Sequence, residues 1–165
     1  MIRSYLKILF LTSLFLENHS TYSQEEQQHL QVKGQILNSS GKVKKVLIRI
    51  IELEHKADTI LINKGKYNIE LNLNSEFLLE FIAEDHFIKR IAFNTEISKK
   101  KKIPYFDLKI NLHEKYIWEI SEDDKDLLDL PVAYIKYDSK KDLFYDYNKK
   151  YSKIIKKEIS KLIKK

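Results

Sequence analysis

The chain has 165 residues and no cysteine, so it must hold together by packing and hydrogen bonding without disulfides, and the sequence offers no lipid-accepting cysteine. Its 30 basic residues outnumber 24 acidic ones, but eight lysines against a single acid, Glu158, fall in residues 148–165. The body is therefore close to neutral, which removes the charge argument for nucleic-acid binding, and three widely separated glycines, Gly34, Gly41 and Gly65, exclude a glycine-rich phosphate loop.

At the start of the chain, Arg3 and Lys7 precede an apolar run from Ile8 to Leu16, and the small residues Thr21 and Ser23 follow a polar stretch. This order predicts a secretory signal over residues 1–23, with the mature protein starting near Gln24. The run is nine residues long, whereas a membrane-crossing helix needs about 20, so no membrane span is expected after cleavage. A periplasmic or outer-surface location follows from this reading.

From His29 to Glu114 apolar residues recur at every second position, in short runs separated by polar or glycine-bearing breaks. Strands are predicted at Leu30–Leu37, Val46–Leu53, Asp58–Ile62, Lys66–Leu73, Phe77–Ala83, Phe87–Asn94 and Tyr105–Leu112. In Lys66–Leu73, Tyr67, Ile69, Leu71 and Leu73 share one face, while the runs around Arg49 and Glu80 are apolar on both faces and read as central strands. Turn chemistry at Asn38-Ser39-Ser40-Gly41, Asn63-Lys64-Gly65 and Asn74-Ser75 separates them. Seven such strands predict a mainly β fold, two antiparallel sheets packed as a sandwich over residues 24–113.

Residues 114–165 form a C-terminal extension. Ser121 followed by Glu122, Asp123 and Asp124 predicts a helix start, and Pro131 stops that helix near Leu130. Val132–Tyr137 suits one further strand and residues 138–141 a turn. The last element is an amphipathic helix whose stripe comprises Tyr147, Tyr151, Ile154, Ile155, Ile159, Leu162 and Ile163, with lysines elsewhere on its surface.

The residues able to carry chemistry are few. Glu84, Asp85 and His86 lie together at a strand end and, with the run Lys99, Lys100, Lys101 and Lys102, are the candidate partner-binding residues; the competing reading of both groups is solvated connection. His113-Glu114 has no second histidine at zinc-helix spacing, and the acids Glu122, Asp123, Asp124, Asp126 and Asp129 lack the glycine and alternation of a calcium loop. Asn38-Ser39-Ser40 matches a glycosylation sequon and equally a hairpin turn. No serine or threonine has a nucleophile setting, so no catalytic residue, metal or cofactor is expected.

Val32-Lys33-Gly34-Gln35-Ile36, the strand Val46–Ile50, Gly65-Lys66-Tyr67-Asn68-Ile69 and the strand Phe77–Phe81 resemble the carboxypeptidase regulatory-like domain, a transthyretin-like (prealbumin-like) β-sandwich, over residues 30–97. The sequence departs from that family at Asp85-His86-Phe87, where a glycine followed by an aromatic is frequent. The resemblance implies an accessory module of exported Gram-negative proteins, binding a protein or glycan of the cell envelope without catalytic residues of its own. Two other functions fit the residues: attachment of the basic C-terminal helix to an anionic envelope surface, and a metal-dependent hydrolase or metalloprotein using Asp85, His86 or the acidic cluster.

Overall fold

The computed structural model describes residues 29–53, 57–97, 103, 105–115 and 122–162, with the side chains of 122 and 123 left aside. The leader, the lysine run Lys99–Lys102 and the capping Ser121 lie outside the described residues. The elements are β1 (His29–Asn38), β2 (Gly41–Lys42), β3 (Val46–Glu52), β4 (Asp58–Ile62), β5 (Lys66–Asn72), β6 (Glu76–Ile82), β7 (Lys89–Asn94), β8 (Phe106–Asn111), α1 (Glu122–Asp129), β9 (Tyr134–Asp138), β10 (Leu143–Asp146) and α2 (Lys149–Leu162).

The strands form two sheets. In the first, β1 is central, paired antiparallel with β5 and with the short β2, and parallel with β8. The second runs β10-β9-β7-β6-β3-β4. Alternation along each strand decides which side chains are buried: Leu30, Val32 and Ile36 of β1, Tyr67, Ile69 and Leu71 of β5, and Ile110 of β8 meet Val46, Ile48, Phe77, Leu79, Phe81, Ile91 and Phe93 of the second sheet in one apolar cluster. Ring contacts join the two layers, Tyr67 against Phe81 at 5.6 Å and Phe93 against Phe106 at 5.7 Å.

Two features correct the expectation of seven antiparallel strands. The β9–β10 hairpin adds to the edge of the second sheet, and two pairings, β1 with β8 and β7 with β9, are parallel. The physical reason is that period-two alternation specifies which face a strand buries and carries no information about its direction. Both parallel partners arrive after long connections, as parallel pairing requires. The hairpin also shows that the C-terminal region contributes to the second sheet: Val132, Ala133, Ile135 and Phe144 belong to the common core.

The last helix is capped by Asn148, whose side-chain Oδ1 accepts the backbone N–H of Tyr151 at 3.2 Å. Ile155 and Ile159 are buried in the core cluster, whereas Ile154 is half exposed, so the apolar stripe is covered along one side. Replacing Asn148 with alanine is expected to lower stability by about 1 kcal/mol, read as a shift in the urea unfolding midpoint with unchanged slope.

Candidate functional site

The predicted cluster at Glu84, Asp85 and His86 sits where three loops meet at one end of the sandwich. Asp85 occupies the left-handed region at φ 56°, so the turn geometry that a glycine would otherwise provide is kept by an aspartate, one of the side chains that tolerates it. That turn exposes Glu84 and Asp85 and directs His86 inward. The His86 Nδ1 donates to the Glu84 carbonyl at 2.6 Å, which leaves Nε2 to accept from Asn38 Nδ2 at 3.2 Å. The same Asn38 amide donates to Glu114 Oε1 at 2.7 Å, and Ser39 Oγ donates to Glu114 Oε2 at 3.2 Å. The backbone closes the arrangement, with the Phe87 N–H bonding the His113 carbonyl and the Lys115 N–H bonding the Asp85 carbonyl.

Both imidazole nitrogens are therefore engaged, and the cluster ties the β1–β2 turn, the β6–β7 loop and the end of β8 together. Asn38 and Glu114 are the members that sequence reading did not bring to His86, since they stand 48 and 28 positions from it in a chain where each looked like an ordinary turn or strand-end residue. Among the described residues, no three metal-ligating side chains come together as a metal set.

Next to this cluster lies a cationic corner. Lys89 Nζ donates to the Asn111 carbonyl, and burial, then repulsion from Lys156 of α2, pushes its ammonium down to about 8. His113 is lowered as well, by burial first and then by Lys89. A lysine whose folded value lies below its ordinary 10.5 destabilises the fold fully below about pH 8, and the penalty fades as pH rises toward the unfolded value. Wild type should accordingly gain stability relative to Lys89→Met between pH 7.5 and 9.5, measured by urea unfolding at both pH values, and an NMR titration should place the Lys89 midpoint near 8.

The outer face of the second sheet is organised in rows set by strand register. One row is charged: Arg49, Glu80 and Arg90 stand side by side on β3, β6 and β7. Glu80 Oε1 accepts from Arg90 Nε at 2.7 Å and Oε2 from Arg49 Nε at 2.6 Å, while Arg90 Nη1 reaches the Leu128 carbonyl at 3.0 Å and Asp129 at 2.9 Å, fastening α1 to the sheet. This is the structural use of Asp129 from the acidic cluster. Burial alone would raise the Glu80 carboxyl; the hydrogen bonds from Arg90 and Arg49 outweigh it and hold the group below its ordinary range.

Beyond the charged row lies an apolar one, Ile51, Leu78, Ala92 and Tyr134 on β3, β6, β7 and β9, and then a polar one, Glu76, Asn94 and Lys136, with Leu53 at its end. These rows line a trough of about 450 Å³ on the sheet, bounded at one side by the Tyr147 ring. That volume is within the roughly 300–1,000 Å³ typical of small-molecule sites. Leu53 and Tyr147 are 63% and 51% exposed, and among the described residues the trough is uncovered. Sequence reading had no access to it, because it depends on β9 lying beside β7 and on the turn that places Tyr147 over Tyr134.

No family model matches the chain, and no characterised protein matches it in sequence. Among solved structures it is similar to 3-chlorocatechol 1,2-dioxygenase from Rhodococcus opacus 1CP (12% identity, TM-score 0.40, covering 56% of this chain and 62% of that one). It is also similar to catechol 1,2-dioxygenase from Pseudomonas arvilla C-1 (9% identity, TM-score 0.38, 62% of this chain and 56% of that one). A third is the C-terminal fragment of the pilus adhesin SpaC from Lactobacillus rhamnosus GG (9% identity, TM-score 0.38, 57% of this chain and 48% of that one). Overlaps of this extent transfer neither activity nor partner. Among the described residues, no helix is long and apolar enough to cross a membrane.

Proposed function

We propose that this protein is a non-catalytic, exported accessory module of the carboxypeptidase regulatory-like, transthyretin-like type, binding a protein or glycan partner in the bacterial envelope. The observation that carries the reading is the trough on the second sheet, uncovered among the described residues, where an apolar floor and a polar row run between Leu53 on the β3 side and the half-exposed Tyr147 on the β9 side. The family assignment draws support from Gly34 and Tyr67, two residues of the motifs that carry the resemblance, which face each other in register across β1 and β5. The non-catalytic reading draws on the chemistry of two groups: both nitrogens of His86 are committed to structural bonds, and Glu80, the acid of the charged row, is held between Arg49 and Arg90.

Two measurements test this. N-terminal sequencing of the protein recovered from the periplasm should begin near Gln24, whereas recovery of unprocessed chain from the cytosol overturns export. Purified protein immobilised on beads should retain a defined component from envelope extract. Retention no greater than with a bait of unrelated sequence and equal charge overturns the binding module.

A further inference from the structure

We propose that the trough is a site for a neutral polysaccharide, in which the Glu76 and Asn94 side chains read a vicinal diol and the Tyr147 ring carries a pyranose face. This rests on the reading of the protein as a binding module and names its ligand class. Asn94 is fixed at both ends: its Oδ1 accepts the N–H of Glu96 at 3.0 Å, and its Nδ2 donates to Glu76 Oε1 at 3.1 Å. A primary amide has a second Nδ2 hydrogen and a carboxylate a second oxygen. A donor and an acceptor therefore sit side by side, already oriented, in a row that borders an apolar floor. Two adjacent hydroxyls on a sugar present the complement, one donating to the carboxylate and the other accepting from the amide.

The aromatic platform is anchored through its backbone and one neighbouring ring. The Tyr147 N–H bonds the Tyr134 carbonyl at 3.1 Å, and the two rings meet near edge-to-face with centroids 6.0 Å apart, yet Tyr147 remains half exposed. An aromatic side chain on an anchored backbone, beside an amide already bonded at both ends, lowers the ordering required on binding. A pyranose is amphipathic in the matching sense, with C–H faces for the ring and the Leu78 and Ala92 floor, and hydroxyl edges for the polar row. Charge selects further: Glu76 disfavours an acidic polymer, Lys136 at the same row disfavours a basic one, and the balanced pair suits an uncharged chain.

The test uses the full-length protein as processed by its host, with dextran, cellohexaose and maltohexaose as probes and chitohexaose as the control, because the acetamido group of chitin removes the vicinal diol from every residue but the one at the non-reducing end. Migration in a native gel should be slowed by dextran, and one of the two glucose hexamers should shift the amide resonances of Asn94 and Tyr147, with chitohexaose at least about tenfold weaker. Tyr147→Ala and Asn94→Ala should each weaken binding by about tenfold, and Tyr147→Phe, which keeps the ring, should bind within about twofold of wild type. No retardation and no shift with any glucan, or binding that Tyr147→Ala and Asn94→Ala both leave unchanged in proteins of unaltered melting temperature, overturns the proposal. Chitohexaose binding as well as the glucans overturns it too. If envelope extract still yields a partner that these variants retain, the diol site falls while the module reading stands.

Discussion

Replacing Tyr67 with alanine is expected to destabilise the fold by about 3–5 kcal/mol. The side chain is 5% exposed, its ring stacks at a tilt on Phe81 of the opposite sheet, and its hydroxyl donates to the Leu108 carbonyl of β8 at 2.6 Å. Burial, reinforced by Asp107, pushes the phenol far above its ordinary value, so the hydroxyl keeps its proton and the bond across the accessible pH range. One residue thus links β5, β6 and β8, and its loss removes a buried ring together with the partner of a carbonyl. Tyr67→Phe separates the two contributions, with an expected cost of about 1–2 kcal/mol for the hydroxyl alone. Both are read from urea unfolding at pH 7, and a Tyr67→Ala cost below about 1 kcal/mol would contradict the placement of the ring.

Gly34 is the other half of this arrangement. A Cβ at residue 34 would stand 1.9 Å from the Leu108 carbonyl oxygen and 3.0 Å from the Tyr67 hydroxyl, so the bond across the sheet exists because the residue beneath it has no side chain. Gly34→Ala requires backbone of β8 to move and should cost about 1–3 kcal/mol or more, although alanine adds a single methyl to a strand that otherwise favours it over glycine.

The burial pattern of the strands was legible because each buried face follows from alternation: Tyr67, Ile69 and Leu71 inward, Lys66, Asn68 and Glu70 outward. Arg49, flanked by apolar residues from Val46 to Ile51, and Glu80, flanked by them from Phe77 to Ala83, were visible as charges inside apolar stretches. Their pairing was not, since it depends on β3 and β6 being neighbours with those two residues in register. Pairing direction was hidden for the same reason at β8 and β9. The β10 strand escaped notice because its four residues, Leu143–Asp146, are too few to show a period and become a strand by lying against β9. Of the candidate site residues, the sequence located His86 at a strand end but not Asn38 or Glu114 beside it. The trough takes Glu76, Asn94 and Lys136 from three strands and Tyr147, which the sequence assigned to the helix stripe, from the turn before α2; long-range topology, not local pattern, makes it a site.

Glu80→Ala is expected to cost about 3 kcal/mol, because it leaves Arg90, whose side chain is 14% exposed, with only the exposed Asp129 as counter-charge. Its pH dependence has a definite sign. Glu80 is held below its ordinary 4.5 in the fold, so its contribution is complete above that value and is lost as pH falls through the lower folded one. Urea unfolding between pH 5 and 3 should therefore show a steeper loss for wild type than for the variant, and the two curves should converge at the acid end. The triple replacement Arg49→Met, Glu80→Leu and Arg90→Met removes every charge of the row at once and should recover most of the stability that Glu80→Ala loses, since no uncompensated group remains. It should do so without recovering the attachment of α1. Arg90 is also the residue that holds the Leu128 carbonyl and Asp129, so amide exchange across residues 122–129 should quicken in the triple variant while exchange in β3, β6 and β7 stays slow. Equal protection of α1 in both proteins would show that the helix is held by its apolar contacts through Leu127 and Leu128, and that the charged row serves the sheet alone.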